Sequence, residues 1–221
     1  MATRFYTDPT NTPDVSPNFH AYWNDTTQAV RRKLVIDAPG NNGSTSFQIN
    51  ETAAFNDAVC AVQFVSEPLD AISATLPVCK VFFRCLESNA KANVSLMRYI
   101  SKCDSDGNNI VLLGGGQASS TEFDNGALTN RGTSTDNETN VSLNQGDRLI
   151  IEVGGFFFYS KVSSYTCTIS VTDNHATTDL GENETDTAAY NSWIETGDTF
   201  TEASGDPPAE VVKLGPMFAF A

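Results

Sequence analysis

The chain has 221 residues, 40% hydrophobic and 18% charged, with a formal net charge of -14 and a pI near 4.3. That length suits one domain with a sizeable core. An acidic balance of this size repels phosphate backbones and anionic lipid, which disfavours nucleic acid and membrane surfaces as partners; a basic partner or a crowded symmetric surface fits better. The opening MATRFYTDPT lacks the apolar core of a secretory signal, and no run approaches the roughly 20 apolar residues that span a bilayer, so a cytosol-like compartment is expected. Five cysteines (Cys60, Cys79, Cys85, Cys103, Cys167) without Cys-x-x-Cys spacing read as buried thiols. Cys79 and Cys85, on one face of one strand, would lie about 20 Å apart, too far to pair there.

In chain order, residues 1–32 carry Pro9, Pro13 and Pro17 among Phe5, Tyr6, Phe19, Tyr22 and Trp23. Closely spaced prolines keep a segment extended, so these aromatics need a surface to dock on, and the segment reads as an arm. Asn24 or Asp25 could cap a helical turn through Ala29 and Val30. The basic triplet Arg31, Arg32, Lys33 reads as a solvated strand start balanced by nearby acids. Strands are expected at Leu34–Asp37, Thr45–Asn50, Val59–Val65 and Cys79–Glu87. In the last, Cys79, Val81, Phe83 and Cys85 face the core, while Lys80, Phe82, Arg84 and Leu86 form a surface for another subunit or an arm to cover. Ala92–Ser101 and Ile110–Leu113 flank the turn sequence Asp104-Ser105-Asp106-Gly107-Asn108-Asn109, a hairpin signal.

Gly114–Asn140, rich in Gly, Ser, Thr and Asn, reads as a long surface excursion, with Gly114-Gly115-Gly116 a flexible bend. The stretch Gly146–Asp173 carries the clearest pattern. Leu149, Ile150, Ile151 and Val153 form a strand buried on both faces, broken by Gly154-Gly155 before a second run at Phe156–Tyr159. Tyr165, Cys167, Ile169 and Val171 then alternate with Thr166, Thr168, Ser170 and Thr172, the period of two that marks a half-buried strand. A polar stretch, Asn174–Thr187, leads to Tyr190, Trp193, Ile194 and Phe200, the expected closing strand or strand pair. Gly205-Asp206-Pro207-Pro208 then separates a tail that ends in Met217, Phe218 and Phe220 and either folds back or reaches a neighbouring subunit. The expected fold is an all-β antiparallel β-sandwich of jelly-roll type over residues 33–202, with extended arms at 1–32 and 203–221.

Catalytic and metal signatures are missing from the sequence. Two histidines, His20 and His175, without zinc spacing argue against a zinc site. Asp104-Ser105-Asp106-Gly107 resembles part of a calcium loop but lacks the glycine at the sixth position and the Glu at the twelfth. No Gly-x-Ser-x-Gly elbow or Ser-His-Asp pattern occurs, and the glycine triplet lacks the Lys-Ser/Thr of a phosphate cradle. With 27 acidic residues, two carboxylates at glycosidase spacing remain open, although most lie in polar loops. Seven Asn-x-Ser/Thr matches follow from an Asn- and Thr-rich composition. Trp23, Tyr190 and Trp193 could stack on sugar rings, though an arm aromatic and core-closing roles fit them better. No enzyme activity, cofactor or metal is expected.

The opening RFYTDPTNTPDVSPNFHAYWNDTTQAVRRKL, the strand GDRLIIEVGG and the late YNSWIETGDTF together resemble small virion-associated proteins of tailed bacteriophages. The chain departs from that pattern by continuing some twenty residues past the last motif. The resemblance implies a β-sandwich or jelly-roll virion protein, made in the host cytoplasm and assembled onto the particle. Within that class a capsid decoration, or cement, protein fits best, with the major capsid protein and copies of itself as partners and a trimer favoured. The expected partner contacts are Phe5, Tyr6, Phe19, Tyr22, Trp23, Met217, Phe218 and Phe220. A tail-associated carbohydrate-binding or receptor-binding module is the alternative, and a glycan hydrolase a third reading.

Overall fold

The computed structural model describes residues 2–36, 43–51, 56–70, 72–75, 79–135, 140–158, 165–174, 177–197 and 199–203. The tail aromatics Met217, Phe218 and Phe220, His175, and the end of the expected run at Tyr159 lie outside them. Thirteen strands and no helix occur among the described residues: β1 (Thr3–Thr7), β2 (Val30–Val35), β3 (Gly43–Asn50), β4 (Asp57–Ser66), β5 (Ile72–Thr75), β6 (Cys79–Glu87), β7 (Val94–Cys103), β8 (Val111–Glu122), β9 (Thr129–Thr135), β10 (Asn140–Leu143), β11 (Arg148–Phe157), β12 (Thr166–Asp173) and β13 (Trp193–Thr196).

Eleven strands form one continuous sheet that folds over on itself into two layers. In the first layer β3 pairs with β12, and β12 and β13 share one edge of β6 while β9 takes the other. β1 and β2 lead from β13 into the second layer, ordered β2–β4–β11–β7–β8. Every pairing is antiparallel except β2 with β4. Neighbours such as β3 and β12, distant in sequence, give crossovers of the jelly-roll kind. β5 and β10 form a separate two-stranded ribbon. The layers meet through Phe64 of β4 stacked on Phe83 of β6, centroids 5.7 Å apart. They meet again through Arg98 of β7, which donates to Thr133 Oγ1 of β9 at 2.8 Å and to the Cys79 carbonyl at 3.0 Å.

The antiparallel sandwich is thus the expected one, and its best-patterned strands are where the sequence puts them. β11 is almost wholly buried, and Cys167, Ile169 and Val171 of β12 are fully buried in the core. Lys102 and Val111 pair across the Asp104–Asn109 turn, whose Asp104 carboxylate accepts from the amides of Asp106 and Asn108 and from the Asn109 side chain.

Several expectations need correcting. The glycine pair does not break β11, which runs through it to Phe157. A Cβ on Gly154 would lie 2.0 Å from the Val59 carbonyl, and one on Gly155 would lie 2.9 Å from Val94 and 3.1 Å from the Cys167 sulfur. These glycines let neighbouring strands and the opposite layer close in. The surface excursion from Gly114 is largely strand: Gly116 lies under Tyr99 and Met97 of β7, and Gly132 lies against the Phe82 ring. No helical turn forms after Asn24. Ala29 instead closes one hydrogen-bonded turn onto Thr26, Asn24 Oδ1 accepts the Ala58 amide, and Asp25 caps the Thr27 amide. The segment set apart as an arm begins as β1, inside the sheet between β13 and β2. The outer face of β6 is covered by residues 178–190 of the same chain, with Leu180 packed against the cross-strand pair Phe82 and Trp193, whose rings stack at 4.8 Å.

Gly154→Ala is expected to lower stability by about 1–3 kcal/mol, because its methyl meets backbone that cannot swing away. Gly181→Ala, whose methyl would make only ordinary contacts at 3.5 Å and beyond, should stay within about 0.5 kcal/mol. Urea denaturation of both variants checks the contrast.

Candidate functional site

The outer face of the second layer carries a row of side chains set by strand register. Arg31 of β2 pairs with Gln63 of β4, Gln63 with Glu152 of β11, and Glu152 with Tyr99 of β7. Residues 17–23 lie across this row. Arg31 donates to Gln63 Oε1 at 2.8 Å and to the Pro17 carbonyl at 2.8 Å, and its guanidinium sits 4.4 Å from the centre of the Phe19 ring. Gln63 Nε2 donates to the Asn18 carbonyl and to Glu152. Glu152, only 2% exposed, also accepts from the His20 amide at 3.1 Å and from the Trp23 indole N–H at 2.7 Å. His20 stacks on Tyr99 at 4.8 Å, and Trp23 meets the Tyr99 ring edge-on at 5.0 Å.

Two further anchors hold the preceding residues. Arg148, 4% exposed, makes a bidentate pair with Asp14 at 2.8 and 2.9 Å and also donates to the Ser66 and Ser105 carbonyls. Partial burial pushes the Asp14 carboxyl up, but hydrogen bonding and charge from Arg148 outweigh it and hold Asp14 below the usual carboxylate range. Arg32 donates to the Pro9 carbonyl, and the Lys33 amide to that of Asn11. The basic triplet is therefore not simply a solvated strand start. Lys33 meets an acid, Glu67, at 2.6 Å, whereas Arg31 and Arg32 clamp backbone of the N-terminal segment.

This geometry sorts the aromatics expected to meet a partner. Phe5 is fully buried, with its ring centroid 5.5 Å from that of Phe200, and Trp23 is 6% exposed. Tyr6 is half-buried and donates to Asp179, and Phe19 is half-buried beneath Arg31. Tyr22, at 66%, is the one of them among the described residues that keeps most of its surface. Its ring rests against His20 at 4.7 Å and its amide donates to His20 Nδ1. The face therefore offers an aromatic side chain on a rigid base. Reading the sequence without its register missed Glu152, Gln63 and Arg148. The available signal was the lone carboxylate in the otherwise apolar run Leu149–Val153, because a charge inside a doubly buried strand needs a set of partners.

The cysteine thiols are shielded from solvent. All five cysteines are free and buried; burial pushes the Cys60, Cys85 and Cys167 thiols well up and that of Cys103 up to about 11. Among the described residues no three His, Cys, Asp or Glu side chains gather as metal ligands. Among the described carboxylates, Glu87 is 2% exposed, accepts the Val94 amide and shares a hydrogen bond with Glu122. Burial, with Glu122 and Asp124 adding their charge, raises its carboxyl to about 7.

Replacing Glu152 with Gln puts a donor opposite the Trp23, His20 and Gln63 donors. The variant should lose about 2 kcal/mol of stability, and residues 8–29 should be cleaved faster in limited proteolysis. Glu87 gives a pH signature. The folded chain binds its proton more tightly than the unfolded chain, so its stabilising contribution is full below about pH 4.5 and is lost as the pH rises through about 7. Glu87→Gln should flatten the stability profile between pH 5 and pH 8, giving a higher midpoint than the parent at the alkaline end; parallel profiles for the two proteins would contradict the assignment.

No protein-family model matches the chain, and no curated protein matches it. Solved structures that it resembles include a CocE/NonD family hydrolase from Staphylococcus aureus (10% identity, TM-score 0.49). They also include Eiger TNF from S. frugiperda (12%, 0.25) and a structure of infectious bursal disease virus Gx strain (12%, 0.22). The matches cover 89%, 65% and 75% of this chain and 36%, 95% and 38% of those chains, so the chain spans about a third of the hydrolase's length. At these scores they are likenesses between β-rich structures and assign no activity.

Proposed function

We propose that the protein is a structural component of a tailed-bacteriophage virion, a decoration protein that binds the outer capsid surface and ties neighbouring capsid subunits together. The observation that carries this reading is Tyr22, an aromatic side chain 66% exposed at the tip of a segment clamped by Glu152, Arg31 and Arg148. Tyrosine on a rigid base supplies contact area at little entropic cost, the property of an interface anchor. The net charge of -14 favours a basic or symmetric partner surface over nucleic acid or lipid. The resemblance of the opening, of the GDRLIIEVGG strand and of YNSWIETGDTF to small virion proteins supplies the class.

In this reading the sandwich is the rigid body and the N-terminal face is the surface pressed onto the major capsid protein. Self-association, with the trimer favoured, would multiply the contacts and make release slow. The protein would be made in the host cytoplasm and reside on the capsid exterior. Capsids lacking the protein, mixed with purified chain and sedimented, provide the test. Tyr22→Ala should weaken particle binding about 30-fold, the effect of a loss of about 2 kcal/mol at an anchor, with an unchanged melting midpoint. Undiminished binding by the variant would contradict the reading.

A further inference from the structure

The seam between edge strands β8 and β9 carries a cleft unrelated to the N-terminal face. It has two lobes that share Ser120, with volumes of about 290 and 330 Å³. The first is lined by Asn93, Ser95, Ser120, Glu122 and Phe158. The second is lined by Phe82, Thr133, Glu182 and Glu184 among others. The two volumes fall on either side of the lower bound of small-ligand sites, about 300 Å³.

The cleft is built by the backbone. Ser95 and Met97 of β7 pair with Glu122 and Ala118 of β8, so four steps of β8 lie opposite two of β7, and Ser119–Thr121 are pushed out of the ladder. Bulges of this kind re-aim side chains and are common beside binding sites. The far wall is fixed by Glu184, whose carboxylate accepts from Thr121 Oγ1 at 2.6 Å and from the Gly132 amide at 3.1 Å. Glu184 thereby joins both edge strands from a left-handed backbone conformation, φ 54°. Ser95 and Ser120 make no side-chain hydrogen bond to the described residues, and Asn93 uses its amide nitrogen on the Lys91 carbonyl, which leaves its oxygen to the cleft.

This set of groups has a definite chemical preference. The Ser95 and Ser120 hydroxyls donate or accept, the Glu122 carboxylate and the Asn93 oxygen accept, and Phe158 offers an apolar surface, while Glu182 and Glu184 are already held by Lys80 and by Thr121 and Gly132. A ligand rich in hydroxyl groups, with flat C–H faces between them, satisfies all of these at once. Among the described residues that line the cleft the charged ones are Glu122, Glu182 and Glu184, of which Glu182 is paired with Lys80 at 2.9 Å; this acidic lining disfavours sulfated, phosphorylated and uronate ligands. The geometry points to a binding site for a short neutral oligosaccharide lying across Ser120, with one unit in each lobe. The site does not depend on the decoration role, because it shares no residue with the Tyr22 face.

Saturation-transfer NMR on the full chain, with cellotriose, maltotriose and triacetylchitotriose as neutral probes and a heparin-derived trisaccharide as the sulfated one, tests the assignment. At least one neutral probe should receive saturation and the sulfated probe none. Ser120→Tyr, at an exposed position where the lobes meet, should weaken binding at least tenfold. Glu122→Gln, which keeps the shape and removes the charged acceptor, should weaken it several-fold, while Tyr22→Ala leaves it unchanged. The proposal is overturned if no neutral probe is saturated, if binding survives both cleft variants, if the sulfated probe binds equally well, or if Tyr22→Ala abolishes the signal.

Discussion

A carboxylate in the middle of a doubly buried strand has to be surrounded by donors, and the N-terminal segment of this protein is where Glu152 finds most of them. A charge left unpaired in such a place costs several kcal/mol, and each hydrogen bond to it recovers about 1.5–3 kcal/mol. Glu152 accepts from Gln63 within its own layer, and from the His20 amide and Trp23 indole of the segment laid across it. The dependence is mutual. Without the segment Glu152 loses two of these partners, and without Glu152 the Trp23 indole loses its acceptor. The same logic recurs at Arg148, whose buried guanidinium takes Asp14, and at Arg31, which takes the Pro17 carbonyl.

The other outer face is closed in a parallel way. Arg4 of β1 lies 4.0 Å from the Trp193 ring centre and pairs with Asp179 and Glu195, each at 2.7 Å, while the Trp193 indole donates to the Leu180 carbonyl. The sandwich is therefore four strata deep: two sheet layers, each roofed by an irregular segment of the same chain. The expectation that extended aromatic segments need a surface to dock on was sound as physics. For the described part of the N-terminal segment, that surface is the chain's own sheet. What remains for a partner is the part of each roof that is not consumed by holding it down, and on the N-terminal side that is Tyr22.

The strands that could be read from the sequence are those whose partners matter least to their pattern. Leu149–Val153 and Tyr165–Thr172 carry their burial in composition and period, and Asp104–Asn109 carries a turn in its own side chains. β8 beyond Leu113, and β9, could not be read that way. Their glycines and hydroxyl residues look like loop, and they are strand because Gly116 must pass beneath Tyr99 and Gly132 against Phe82, demands set by neighbouring strands. The row Arg31–Gln63–Glu152–Tyr99 was equally hidden, since only register brings these four residues side by side. The basic triplet looked solvated because the proline carbonyls it clamps lie 14 and 23 residues away in sequence.

Residues 8–29 are part of the folded body and not an appendage to it. Native-state hydrogen exchange at the His20 amide and the Trp23 indole N–H measures this directly. If Glu152 holds them as described, both protons should exchange with the same opening free energy as the amides of β11. Exchange at the rate of a fraying terminus, with β11 still protected, would contradict the account.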